Sequence, residues 1–109
     1  MNRPLRGEIW LVDLGMVAKV RPCLVISIPA LDQDRALVAV VPHTTSARGS
    51  RFEVDVKVRF LKSGVFDAQN LITVPHAKLI RRLGTVTSAQ LIQVETVVKF
   101  WLGLDSAHG

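Results

Sequence analysis

The chain has 109 residues, 49% of them apolar, one cysteine, and a net charge of +5 from fourteen Lys and Arg against nine Asp and Glu. That length makes a single domain, 1–109, which can bury roughly two-thirds of the surface its unfolded form exposes and needs no disulfide or metal staple. A lone thiol excludes an internal disulfide, the lack of any apolar run of about 18 residues excludes a membrane-spanning helix, and the excess of cations favours a polyanionic partner.

The N-terminal segment is basic but leads into no apolar signal region, because Asp13 interrupts the first apolar run, so a cytoplasmic protein is expected. Glu8 to Leu14 is rich in β-branched and aromatic residues and ends at Gly15, which predicts a first strand. Val20 to Ile28 is nearly continuous in its apolar character, the pattern of a strand buried on both faces. Pro22 cannot donate to a ladder, so full pairing is expected only beyond it. Cys23 sits inside this run and reads as core filler, with a reactive thiol as the alternative. Ala36 to Val41 is a third strand, expected to pair with the second as an antiparallel hairpin. Pro42 to Arg51 then reads as a polar, basic loop.

From Phe52 to Phe60 apolar residues alternate strictly with Glu53, Asp55, Lys57 and Arg59, which predicts a strand with one wet face. A turn at Lys62 to Gly64 precedes short strands around Asn70 to Val74 and Leu79 to Val86. The period then changes. Thr87 and Gln90 fit a capping box, and Leu91, Val94, Val98, Trp101 and Leu102 share one face of a helix stopped by Gly103. Trp101 is expected to pack in the core rather than to stack on a base. Five to seven strands and one helix suggest a twisted sheet curled into a small barrel, with the helix against it.

The chemistry-bearing residues are few. No second cysteine or His–Cys cluster supports a zinc site, and no glycine-rich loop supports nucleotide triphosphate use. His43, His76 and His108 are scattered. Arg21 lies at the mouth of an apolar strand, and Thr44, Thr45 and Ser46 follow directly on another. An arginine beside hydroxyls could hold a phosphodiester, the guanidinium stabilising its equatorial oxygens. RNA brings its own nucleophile in the 2′-hydroxyl, so such a site needs no metal or other cofactor. The blander alternative is an Arg–carboxylate bridge with hydroxyls capping a loop.

Gly7 to Leu14 followed by Arg21 to Ser27 resembles the paired opening blocks of the MazF/PemK toxins. Val41 to Ser46, Phe52 to Val54, and Leu83 into the helix as far as Leu104 resemble their later blocks, in the same order along nearly the whole chain. The resemblance implies an α+β fold, mainly β with a C-terminal helix, in a small SH3-like barrel of the CcdB/MazF type that works as a homodimer. It implies a toxin held by a cognate antitoxin, and a metal-independent endoribonuclease cutting single-stranded RNA at short sequences to leave a 2′,3′-cyclic phosphate and a 5′-hydroxyl. Arg21 takes the place of the family's catalytic arginine, as proton donor or acceptor and stabiliser of the phosphorane. Thr44 takes that of the residue stabilising the scissile phosphate. RNA contacts are expected from Lys19, His43, Thr45, Ser46, Arg48, Arg51, Gln69 and Asn70. One departure is the loop from Gly15 to Val20, shorter than in many relatives and without their Gly-x-Glu-Gln-x-Gly pattern; Met16 and Val17 could form an apolar patch for a partner instead. A gyrase-binding toxin of the same fold class and a non-catalytic nucleic-acid-binding barrel remain the alternatives.

Overall fold

The computed structural model of the chain describes residues 3–15 and 19–104. Seven strands form one antiparallel sheet: β1 (Glu8–Asp13), β2 (Val20–Val25), β3 (Leu37–Thr44), β4 (Glu53–Val54), β5 (Val65–Asp67), β6 (Ile72–Pro75) and β7 (Leu79–Thr85). Their order is β4-β5-β3-β2-β1-β7, with β6 on the first half of β3. The single helix, α1 (Ser88–Leu102), follows β7. This is the mainly β architecture with a C-terminal helix that the sequence leads one to expect, curled like a barrel but with no ladder joining β4 to β7.

The central strands are buried on both faces, and their period of two sorts the side chains into two cores. Ile9, Leu24 and Val41 point toward α1 and join Phe66, Val94 and Val98. Trp10, Val12, Cys23, Val25, Val38 and Val40 point the other way and join Val74 and Leu79. Cys23 is fully enclosed, and burial pushes its thiol up to about 12, so it is core filler and no nucleophile at neutral pH. Pro22 pairs with Leu11 on β1, but the ladder to β3 begins one residue later, at Cys23 opposite Pro42.

Three expectations need correction. β3 does not end at Val41 but runs through Pro42 and His43 to Thr44. Its outer partner changes from β6, at Leu37 to Val40, to β5, at His43 and Thr44. Pro42 falls between these ladders, where a residue without a donor is tolerated.

The alternation from Phe52 to Phe60 makes only a two-residue strand. Phe52 and Val56 are buried while Asp55, Lys57 and Arg59 are exposed, so the side chains partition as predicted. The ladder is missing because β5, its partner, has three residues. Beyond Val54 the chain is held instead by Gln90, whose Nε2 donates to the Lys57 carbonyl at 2.7 Å. Phe60 leaves the core and lies across β7, where a Cβ on Gly84 would come within 2.5 Å of its ring. A side chain at residue 84 would have to displace that exposed ring.

Third, β5 was not anticipated, and a 3-10 turn at Ala68–Asn70 separates it from β6. The helix is as its signals require: Thr87 Oγ1 accepts from the Gln90 amide at 3.1 Å, Gln90 Oε1 accepts from the Thr87 amide at 2.8 Å, and Gly103 adopts a left-handed φ of 70°. Its last turn, however, runs off the core. Trp101 is 38% exposed and meets Phe52 edge-on with ring centroids 4.9 Å apart.

Candidate functional site

The period of two that builds the cores also builds the site. Arg21 shares a face of β2 with Cys23 and Val25, and Thr44 shares a face of β3 with Val38 and Val40. The β2–β3 register pairs Cys23 with Pro42. Continued by two residues, it sets Arg21 opposite Thr44. Both line an open cleft of about 670 Å³ on the sheet face away from α1.

Leu14 and Pro42 supply the apolar floor of this cleft near Arg21, and Ile72 supplies it on the β6 side. The loop after β3 contributes Ser46, Arg48 and Ser50, and the segment from β5 into the 3-10 turn contributes Asp67, Gln69 and Asn70. Among the described residues Arg21 makes neither an ion pair nor a side-chain hydrogen bond. An arginine–carboxylate bridge is therefore not what holds it. Thr44 does cap its loop: Oγ1 accepts from the Ser46 amide at 3.1 Å, which leaves its own hydrogen to donate.

Two carboxylates also border the cleft, and both are engaged. Glu53 accepts from the amides of Arg48, Gly49 and Ser50 at 2.8 to 3.1 Å, so the loop folds back over it. These backbone donors, that of Arg48 foremost, hold its carboxyl below the usual range. Asp67 accepts from the Gln69 amide through Oδ1 and from the Asn70 side chain through Oδ2. Hydrogen bonds to neutral amides leave both carboxylates charged, so Arg21 and Arg48 share the lining with Glu53 and Asp67, and Glu53 is close enough to Arg48 to feel its charge.

Of the residues singled out in the sequence, Arg21, Thr44, Ser46, Arg48, Gln69 and Asn70 come together here, while Lys19, His43, Thr45 and Arg51 do not line the cleft. Lys19 closes a tight turn with φ 60°, its amide donating to the Gly15 carbonyl at 2.6 Å. His43 is the neighbour of Thr44 on a strand and so faces the opposite way. It is 5% exposed, edge-on to Phe66 at 5.0 Å, and burial pushes its imidazole below the ordinary value. Arg51 lies over the rings of Phe52 and Phe100 at 4.7 and 5.2 Å. Thr45 is exposed outside the cleft. Met16 and Val17 lie outside the described residues. Sequence reasoning missed Leu14, Ser50, Glu53, Asp67 and Ile72. Asp67, two residues before Gln69, had an Asx-turn spacing that could have marked it.

The described residues thus form an antiparallel sheet followed by one helix, with a cleft that presents Arg21, without an ion pair among them, opposite Thr44. Residues 5–102 match the family described as PemK-like, MazF-like toxin of type II toxin-antitoxin system, and the chain belongs to that family. It is 35% identical over 104 residues to endoribonuclease MazF4 of Mycobacterium tuberculosis, covering 95% of this chain and 97% of the relative. Endoribonuclease MazF1 of Mycobacterium bovis is equally similar. Among solved structures, a mycobacterial endoribonuclease in complex with its cognate antitoxin superposes with a TM-score of 0.79 at 32% identity, over 93% of this chain and 96% of that one.

Proposed function

We propose that this chain is an endoribonuclease that cuts single-stranded RNA at short sequences, with Arg21 and Thr44 as the groups that act on the scissile phosphate. The observation that carries the reading is Arg21 itself: a guanidinium in an open cleft, opposite Thr44, with no carboxylate spent on it among the described residues. The 2′-oxygen of the substrate attacks phosphorus as the bond to the 5′-oxygen breaks. The proton lost by the 2′-hydroxyl is matched by one gained at the 5′-oxygen, leaving a 2′,3′-cyclic phosphate and a 5′-hydroxyl. Of the roles open to Arg21, donation to the non-bridging oxygens of the phosphorane suits a permanently charged, planar fork better than proton abstraction does. Thr44 donates its hydroxyl hydrogen to the same phosphate, and Arg48 supplies attraction along the backbone.

The chemistry is read as metal-independent because Glu53 and Asp67, the cleft's two carboxylates, are already committed to amide donors and poorly placed to hold a cation. An antitoxin partner fits the same site: the related mycobacterial endoribonuclease is found with its cognate antitoxin, and an acidic segment laid in this cleft would meet the Arg21 guanidinium, which makes no ion pair among the described residues. A homodimer is supported at the end of α1, where Phe100, Trp101, Leu102 and Leu104 are all substantially exposed.

The test is incubation of the purified protein with single-stranded RNA in excess EDTA, with mapping of the new ends. Cleavage with 5′-hydroxyl ends is expected. RNA that stays intact in EDTA and is cut once magnesium is added would overturn the metal-free mechanism; RNA intact under both conditions would overturn the activity.

A further inference from the structure

We propose that Asn70, its amide nitrogen held by Asp67, reads one base of the bound RNA and separates adenine and cytosine from guanine and uracil. The inference rests on the endoribonuclease reading and adds to it the chemistry of the substrate.

An asparagine amide left to itself is an ambiguous reader. Turned one way it offers an acceptor and then a donor; turned the other way it offers the reverse, so it matches every base. Asp67 removes that freedom. A carboxylate only accepts hydrogen bonds, so the group that Asn70 directs at Asp67 Oδ2 must be its nitrogen, whichever way an amide is first drawn. The amide is thereby held in one of its two orientations, with its carbonyl oxygen and one N–H left for a ligand.

The lock is itself well anchored. Asp67 is the last residue of β5, paired with Glu53, and its other oxygen caps the 3-10 turn at the Gln69 amide, 3.2 Å away. The Leu71 amide closes that turn on the Ala68 carbonyl at 3.2 Å, and Ala68 is fully buried. Asn70 therefore stands on a rigid base with its side chain exposed on the cleft wall, in the same space as Arg21 and Thr44.

An acceptor beside a donor complements an edge that carries an exocyclic amine beside a bare ring nitrogen. Adenine and cytosine have that edge. Guanine and uracil present a carbonyl beside a ring N–H, the reverse order, so for a strand whose sugars enter from one side the held amide matches one of the two pairs of bases and opposes the other. Single-stranded RNA exposes these edges, and Ile72 offers an apolar surface for the ring next to the amide.

Asp67→Asn provides the test. Its Oδ1 can still cap the turn, but its new amide donates toward residue 70, so Asn70 must turn its carbonyl inward and offer its nitrogen to the base. Cleavage of a randomised RNA pool, with sequencing of the ends, is expected to show one of the two pairs, adenine and cytosine or guanine and uracil, at one position for the wild type. In Asp67→Asn that preference should fall by roughly ten- to a hundredfold and move toward the other pair. Should the variant cut too slowly to profile, binding of oligonucleotides differing at that one base to Arg21→Ala, with and without Asp67→Asn, reads the same exchange. Wild-type cleavage with the same base preference in Asp67→Asn overturns the assignment while leaving the nuclease reading intact. Failure of the wild type to cut any RNA overturns both.

Discussion

Arg21 and Arg51 carry the same group in opposite circumstances. Arg21 is half-buried at the edge of a cleft, with no anion on it among the described residues, whereas Arg51 rests on two aromatic rings. In the sequence the first stands at the mouth of an apolar strand and the second in a polar, basic loop. What separates them is where the fold ends each apolar surface. Around Arg21 the sheet is continuous and leaves a concave mouth rimmed with hydroxyls. Around Arg51 the last turn of α1 outruns the core and leaves Phe100 and Trp101 uncovered, so the guanidinium covers them in part. A cation over a ring face is held by the ring quadrupole and contributes about 0.5–1 kcal/mol at such a site. An unpaired cation in a cleft contributes nothing to folding and is free to act on a ligand.

The sharpest way to break this comparison is to change both arginines in one assay. Arg21→Lys keeps the charge but loses the planar fork, and single-turnover cleavage should fall about 10²–10³-fold, or roughly 3–4 kcal/mol. RNA affinity at fixed salt should change far less. Thr44→Ala removes one hydrogen bond to an anionic phosphate, worth about 1.5–3 kcal/mol, and should cost about tenfold to a hundredfold in the same rate. Arg51→Ala should instead lower the unfolding free energy by about 0.5–1 kcal/mol, with a rate change small beside that of Arg21→Lys. Equal rates for Arg21→Lys and wild type would make Arg21 a positioning charge only.

The aromatic end gives a second, smaller test. Leu104 is 69% exposed directly after the helix stop, alongside Leu102 and Phe100. If a second copy covers this surface, Leu104→Glu buries an unpaired carboxylate in the interface and should weaken association at least tenfold, roughly 1.4 kcal/mol or more. Sedimentation of the two proteins across micromolar concentrations measures it. A wild type that sediments as a single chain throughout that range excludes the dimer.

What could be read in advance followed from how local each signal is. Thr87, Gln90 and Gly103 act within one turn of helix, and the helix is where they place it. β2 and β3 announce themselves by composition. The segment from Phe52 to Phe60 shows the limit: alternation reports which side chains turn inward, but a strand also needs a partner, and a three-residue β5 is too short to be seen. The cleft suffered from one boundary. With β3 ended at Val41, His43 and Thr44 look like equal members of a loop. With β3 carried through Pro42, parity alone sends Thr44 to the cleft and His43 to the core. Glu53 was hidden by its own regularity, because a glutamate on the wet face of an alternating strand gives no sign that three backbone amides converge on it.

The parity argument carries the smallest prediction, on pH. His43 sits against Phe66 on the side of the helix core, and burial there disfavours its charged form. Its folded value lies below the ordinary 6.5, so in the interval between the two the unfolded chain binds a proton that the folded chain does not. Stability is then complete above about pH 6.5 and declines as the pH falls through that interval, levelling off once the imidazole is protonated in the folded state as well. Glu53, its carboxyl held down by backbone donors, contributes stability that is lost only as the pH falls through its own folded value, below the ordinary 4.5 and outside this window. Denaturant titrations of the wild type and His43→Gln between pH 5 and 7.5 isolate the effect, because the comparison is of slopes, not of absolute stability. The wild type should lose stability toward pH 5 and the variant should lose measurably less. Parallel curves would mean that His43 titrates alike in the folded and unfolded chain, and would return it to the solvent-facing side of β3 beside Thr44.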